Sequence, residues 1–180
     1  MIKRIAISGA PGTGKTSLIE GLSMHGYKCH AEVSREIIAE QFKIGGDITP
    51  WKDLDAFSEL VIDERIKQFK QAKEEIEFFD RTIIDSFAYL LKDALPITNK
   101  WNGLAKEYRY SKTAFITPPW ESIYKSDSER MEDFETATSI HEFMIKAYEL
   151  YDYEIVLIPK VSVSERIKFI LKHIEYARFT

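Results

Sequence analysis

A single cysteine, Cys29, occurs in 180 residues, so no intrachain disulfide framework can form. A basic surplus is also missing, since 25 Lys and Arg stand against 29 Asp and Glu for a formal net charge of -4. Proteins that bind duplexes or anionic membranes normally carry the opposite balance, so nucleic acid is not the expected partner. No apolar run approaches the roughly 20 residues that cross a bilayer, and no basic-then-apolar leader precedes the first apolar segment; no membrane partner and a cytoplasmic location are expected. The four histidines, His25, His30, His141 and His173, are scattered. Cys29 beside His30 lacks the spacing that lets both reach one metal, so structural zinc is not expected. Repeats, linkers and low-complexity tracts are absent too. With 44% hydrophobic residues, the chain suffices for one well-filled core and is too short for two ordinary domains, which predicts one domain over 1–180.

What is present is an alternation of short apolar runs and helical patterns. An apolar run at 3–8 stops at glycine, and 15–24 turns helical. A second strand is expected at 27–32, with Ser34 as N-cap of a helix through Phe42. Residues 43–49 carry Gly45, Gly46 and Asp47 and read as a mobile loop, after which Thr49-Pro50 opens a long helix to about Lys73. Strand three is expected at 76–80, helical segments at 83–94 and 100–110, and strand four at 113–117, closed by Pro118-Pro119. Phe134, Ala137, Ile140, Phe143, Ala147 and Leu150 share one helical face, and that helix feeds strand five at 154–158. Ser162 and Glu165 form a capping-box pattern ahead of a covering amphipathic helix. Five strands alternating with helices imply a mostly parallel sheet with helices on both faces, because parallel neighbours need long crossovers.

The strongest chemical signal is Gly9-Ala10-Pro11-Gly12-Thr13-Gly14-Lys15-Thr16. It matches G-x-x-x-x-G-K-[ST] and lies between an apolar strand and a helix. Glycines let the backbone wrap so that successive N–H groups face phosphate oxygens, and the following helix adds its positive end. Lys15 is then expected on the β- and γ-phosphates, Thr16 on magnesium and Ser17 on the α-phosphate. Asp80 ends an apolar strand, a Walker B arrangement in which a carboxylate holds magnesium or accepts a proton from an attacking hydroxyl. The residues alone do not separate those two roles.

Further candidates cluster at predicted strand ends, where ligands bind in open α/β sheets. Glu32 is a candidate general base and Arg35 a candidate clamp on a polar or anionic acceptor. Glu36 fits helix-dipole complementation better. Arg81 and Asp85, four apart, either face an acceptor pocket or pair with each other at the surface. The segment 119–133, rich in charge, reads as a lid, with Arg130 and Lys125 as candidates to stabilise charge on a migrating phosphoryl group, and Trp120 at the lid base.

Taken in order, Gly9 to Thr16, the Glu32-Val33-Ser34-Arg35-Glu36-Ile37-Ile38 segment, Phe79-Asp80-Arg81 with Asp85, and Pro118-Pro119-Trp120 followed by Asp127 and Arg130 give a resemblance over nearly the whole chain. The sequence resembles the small bacterial P-loop ATPases named for an AAA domain and related to the nicotinamide riboside kinase domain. That resemblance implies the nucleoside and nucleotide kinase branch of P-loop folds, with strand order 2-3-1-4-5 and the Walker B strand beside the P-loop strand. A second helical domain does not fit in the chain, so a ring-forming remodelling motor is not expected. The expected ligands are ATP and Mg²⁺, with a small nucleoside-like acceptor. A regulatory ATPase or nucleotide switch without an acceptor is the alternative. A guanine-specific switch is disfavoured because Asn99-Lys100-Trp101-Asn102 lacks the aspartate of the base-reading N-K-x-D pattern.

Overall fold

The computed structural model describes residues 2–124 and 133–176. Its centre is a parallel sheet of β1 (Lys3–Gly9), β2 (Lys28–His30), β3 (Ile76–Asp80), β4 (Thr113–Thr117) and β5 (Glu154–Leu157), in the order β2-β3-β1-β4-β5. The helices are α1 (Lys15–Met24), α2 (Ser34–Ile44), α3 (Leu54–Gln71), α4 (Ile83–Lys92), α5 (Asn99–Glu107), α6 (Phe134–Leu150) and α7 (Val163–Tyr176). The expected order and parallel sense are therefore those observed.

Alternation along each strand sorts the core into two layers. Ile5, Ile7, Phe78 and Phe115 pack on Leu18 and Leu22 of α1 and on Ile167, Ile170 and Ile174 of α7. Ala6, Phe79, Ala114 and Ile116 face the other way, into Ile62 of α3, Phe87 of α4, Ala105 of α5 and Met144 of α6. A smaller cluster of Val33, Ile37 and Ile38 with Phe57 and Val61 joins α2 to α3. Fully burying each of the larger of these side chains, Ile, Leu, Phe, Val or Met, contributes about 1.5–3 kcal/mol, so the central strands are fixed from both faces. Register then sets the chemistry: Ile7 lies level with Asp80, and Gly9 with Thr117.

Element ends differ from expectation for local reasons. β2 is an edge strand paired only with β3, and it stops at His30, which leaves Glu32 free to turn inward. Ser34 makes no side-chain cap; instead the Glu32 carboxylate accepts from the Ser34 N–H at 3.1 Å. The helix then runs to Ile44 and ends at Gly45 in left-handed backbone, φ 67°. Thr49-Pro50 forms a turn rather than a helix start, since the N–H groups of Lys52 and Asp53 both donate to the Thr49 carbonyl. The cap of α3 is Asp53, which accepts from the Ala56 N–H at 3.0 Å. The Ser162–Glu165 box is present, with the Glu165 N–H donating to Ser162 Oγ at 3.3 Å and the Ser162 N–H to Glu165 Oε2 at 3.1 Å.

Candidate functional site

The turn between β1 and α1 is built from glycines because no other residue fits. Gly9, Gly12 and Gly14 have φ of 141°, 77° and 80°. A Cβ on Gly9 would stand 2.6 Å from the Thr117 carbonyl oxygen, and one on Gly12 would run into the Tyr124 ring at 2.5 Å. The interior of the loop is tied by its own side chains. Lys15 Nζ donates to the carbonyls of Gly9 and Ala10, both at 2.8 Å, and Thr13 Oγ1 donates to Ala10 at 2.9 Å. Pro11 supplies no N–H, so the Ala10–Pro11 peptide offers only its carbonyl, which those two donors satisfy. The hydroxyls of Thr13 and Thr117 share a bond of 2.6 Å, pinning the loop to β4. Thr16 and Ser17, on the first turn of α1, are exposed.

Lys15 is buried with one ammonium hydrogen beyond its two carbonyl bonds. Burial, helped by the Arg81 charge, lowers its pKa to about 7 against the opposing pull of Asp80 and Glu32. Asp80 is also buried, and burial together with the Glu32 carboxylate raises its pKa to about 6, with Lys15 and Arg81 pulling the other way. Its Oδ1 has no hydrogen-bond partner among the described residues. An orphaned carboxylate oxygen and an exposed threonine hydroxyl are hard donors of the kind magnesium takes from protein when phosphates complete its shell. Among the described residues no group of three or more His, Cys, Asp or Glu could hold a metal. Asp80 and Thr16 are thus the residues present whose donors suit a magnesium ion.

Beside Asp80 lies a charged cluster that the sequence did not reveal in full. Glu32 is paired with Arg81 Nε and, at 3.4 Å, with Arg65 Nη2. Burial alone would raise its pKa, but Arg81 and Arg65 together bring it down to about 2. Arg65, on α3, is itself buried and donates to the Thr82 carbonyl at 2.5 Å and Ser86 Oγ at 2.9 Å. Arg81 adopts left-handed backbone, φ 76°, a conformation that costs a non-glycine residue roughly 1–2 kcal/mol. Its N–H donates to the Ile7 carbonyl at 2.9 Å and its Nη1 contacts Asp85 Oδ1 at 3.3 Å.

Asp85 and Arg81 do pair, yet inside the protein rather than at its surface. Asp85 is completely buried. Its Oδ1 accepts from Ser8 Oγ at 2.5 Å, and its Oδ2 from the Thr82 N–H at 2.8 Å and Tyr148 Oη at 2.7 Å. Asp85 thus closes the capping box of α4 and anchors Arg81, β1 and α6 to one point.

The outer side of the glycine loop carries a residue that sequence reading missed. Arg166 of α7 is buried, donates from Nη1 to the Thr13 carbonyl at 3.2 Å and from Nε to the Val161 carbonyl at 3.0 Å, and lies 4.8 Å over the Trp120 ring. The available signal was an arginine inside the apolar stripe Val163, Ile167, Ile170, Ile174. Trp120 therefore meets α7 through Arg166. Arg35 lies on the first turn of α2, beside a hollow of about 250 Å³ lined by Ile38, Ala39 and Phe42. Of the expected lid, 121–123 form one 3-10 turn, while Lys125, Asp127 and Arg130 fall outside the described residues.

Comparison with solved structures returns chains of similar fold. Deoxyadenosine kinase from M. mycoides with bound dATP superposes with a TM-score of 0.64 at 18% identity, over 96% of this chain and 99% of that one. Thymidylate kinase from Candida albicans gives 0.69 at 15% identity, over 98% and 92%. NadR protein in complex with NR gives 0.63 at 18% identity, over 97% of this chain and 51% of that one. At these identities the likeness is one of fold. No curated protein matches the sequence. A family model described as an AAA domain matches residues 4–166, in which the glycine loop, the Asp80 strand and Arg166 all lie, and the chain belongs to that AAA domain family.

Proposed function

We propose that this chain acts as a single P-loop domain that binds ATP with Mg²⁺ and transfers the terminal phosphoryl group to a small nucleoside-like acceptor in the cytoplasm. The observation that carries this reading is the juxtaposition at one sheet edge of a glycine loop holding a buried Lys15 and a strand-end Asp80 with an unpartnered oxygen. Solved relatives of the same fold are deoxyadenosine and thymidylate kinases, which supports phosphoryl transfer.

In this reading Lys15 and the loop amides neutralise the β- and γ-phosphates, so that catalysis is positioning plus electrostatics. Magnesium, held by Thr16 and Asp80, would supply charge neutralisation on the phosphate chain. Glu32, held ionised by Arg81 and Arg65, faces the same edge as an acceptor for a hydroxyl of the second substrate. Its low basicity suits orienting that hydroxyl, since a loose phosphoryl-transfer transition state asks little of a base. Arg35, on the helix that follows Glu32, is the proposed contact to a polar acceptor group, and Arg130 the proposed cation of the lid.

The test is nucleoside diphosphate release from magnesium ATP, alone and with a panel of nucleosides, nucleotides and nicotinamide riboside. Acceptor-dependent release is the expected result. Turnover independent of every acceptor would instead mark a regulatory ATPase whose output is a conformational state.

A further inference from the structure

Arg166 lies on the last helix, far along the chain from the glycine loop, yet touches the loop backbone. Its guanidinium is held in three ways: Nε on the Val161 carbonyl at 3.0 Å, Nη1 on the Thr13 carbonyl at 3.2 Å, and its plane 4.8 Å over the Trp120 ring. Gly14 lies directly beneath it, for a Cβ at that position would sit 3.0 Å from Nη1 and 3.3 Å from Ile123 Cδ1. The guanidinium is therefore seated on a specific peptide unit, Thr13–Gly14, and burial lowers its pKa from the ordinary arginine range.

The consequence follows from the peptide group itself. A trans peptide is planar, so its C=O and the N–H of the next residue point in opposite directions. Drawing the Thr13 carbonyl outward to Arg166 turns the Gly14 N–H inward, toward the hollow of the loop. The left-handed φ of Gly14, 80°, is the backbone conformation that goes with this turn. From the other side, the bond between Thr13 and Thr117 hydroxyls holds the same residue to β4. The Thr13–Gly14 unit thus has its orientation fixed from two elements before any ligand arrives, which lowers the ordering cost of binding.

We propose that Arg166 is a positioning residue for the phosphate cradle, aiming the Gly14 N–H inward through the Thr13 carbonyl, with Trp120 fixing the plane of its guanidinium. The inference rests on the reading that the loop holds a triphosphate. It assigns Arg166 and Trp120 to recognition of phosphate, not of the base, although a guanidinium stacked on an indole could otherwise suggest a base-stacking platform. Arg166 does not touch the ligand; it acts through the backbone.

The experiment is calorimetric titration of the whole chain with two probes, a non-hydrolysable ATP analogue with magnesium, and inorganic tripolyphosphate with magnesium. Arg166→Ala removes a bond from a charged donor to the loop and is expected to weaken both probes by the same factor, about tenfold. Arg166→Lys keeps the charge but reaches only one carbonyl, so about threefold weakening of both is expected, with a thermal midpoint of the free protein close to that of wild type. Trp120→Leu should fall in the same range. Weakening confined to the nucleotide, with tripolyphosphate unchanged, would overturn the inference in favour of a base-binding role. If Arg166→Ala does not fold, Arg166→Lys and Trp120→Leu decide, and wild-type affinity for tripolyphosphate in both overturns it. Wild-type protein that binds neither probe sinks the inference and the triphosphate reading together, whereas normal wild-type binding unaffected by the substitutions sinks the inference alone.

Discussion

Two carboxylates, one after β2 and one ending β3, are driven apart in acidity by their neighbours. Asp80 is raised to about 6, chiefly by burial, and Glu32 is brought to about 2 by two arginines. A carboxylate whose folded pKa is raised costs stability when ionised, so the cost is fully present above about pH 6 and shrinks as pH falls toward the ordinary value of 3.8. Asp80→Asn should accordingly stabilise the free protein by about 1–2 kcal/mol at pH 8, less at pH 5, while abolishing phosphoryl transfer. Urea unfolding at the two pH values, alongside turnover, checks it. Glu32 has the opposite sign: its stabilisation is present above the ordinary carboxylate value of 4.5 and is lost as pH falls toward 2. Glu32→Gln leaves Arg65 and Arg81 without their charge partner inside the protein and should cost about 2–3 kcal/mol at pH 7, read as a lower urea midpoint. An unchanged midpoint would mean that the two guanidinium groups find other acceptors. Arg65 did not stand out in the sequence, because an arginine on an amphipathic helix looks like part of a solvated face until its long-range partner is known, and the place of Arg166 within an apolar stripe named no partner. Asp80 was legible because it ends an apolar run, Glu32 because it closes the expected second strand, and Arg81 because it follows Asp80.

Among the elements, the glycine loop and the helix caps show how local rules yield to tertiary ones. The strands at 76–80 and 113–117 were readable to the residue because each is a short apolar run bounded by chemistry that stops it. The start of α3 was not, since Thr49-Pro50 and Asp53 are both plausible openings and only the turn on the Thr49 carbonyl selects the later one. β2 was read too long because the sequence does not show that its far side has no partner strand. The strand order itself came from family resemblance; composition and periodicity left it open. Glycines give a paired prediction. Gly9→Ala places a Cβ against backbone of β4 and in left-handed territory, so it should destabilise the fold by several kcal/mol. Gly103→Ala, at an exposed position of α5 with no atom within 4 Å of the new Cβ, should stabilise by about 0.5–1 kcal/mol. Thermal midpoints of the two variants should move in opposite directions; a Gly9→Ala variant as stable as wild type would contradict the packing described at β4.

For the whole molecule, the buried charges make ligand binding and protonation one process. Lys15 in the free protein has a pKa of about 7, so at pH 8 it is largely neutral. A triphosphate in the loop favours the ammonium form, so binding at pH 8 should take up close to one proton, and binding at pH 6 almost none from this residue. Calorimetry in two buffers of different ionisation enthalpy reads that number directly. Proton uptake that does not change between the two pH values would dissociate Lys15 from the ligand. No described helix is long and apolar enough to cross a membrane, and the layers of helix on both faces of the sheet leave the strand ends as the place where the charges gather. The most direct measurement is a titration of wild-type protein and Lys15→Ala with a non-hydrolysable ATP analogue and magnesium at pH 7. The account predicts saturable one-to-one binding in wild type and its loss in the variant; equal binding by both, or none by wild type, would contradict it.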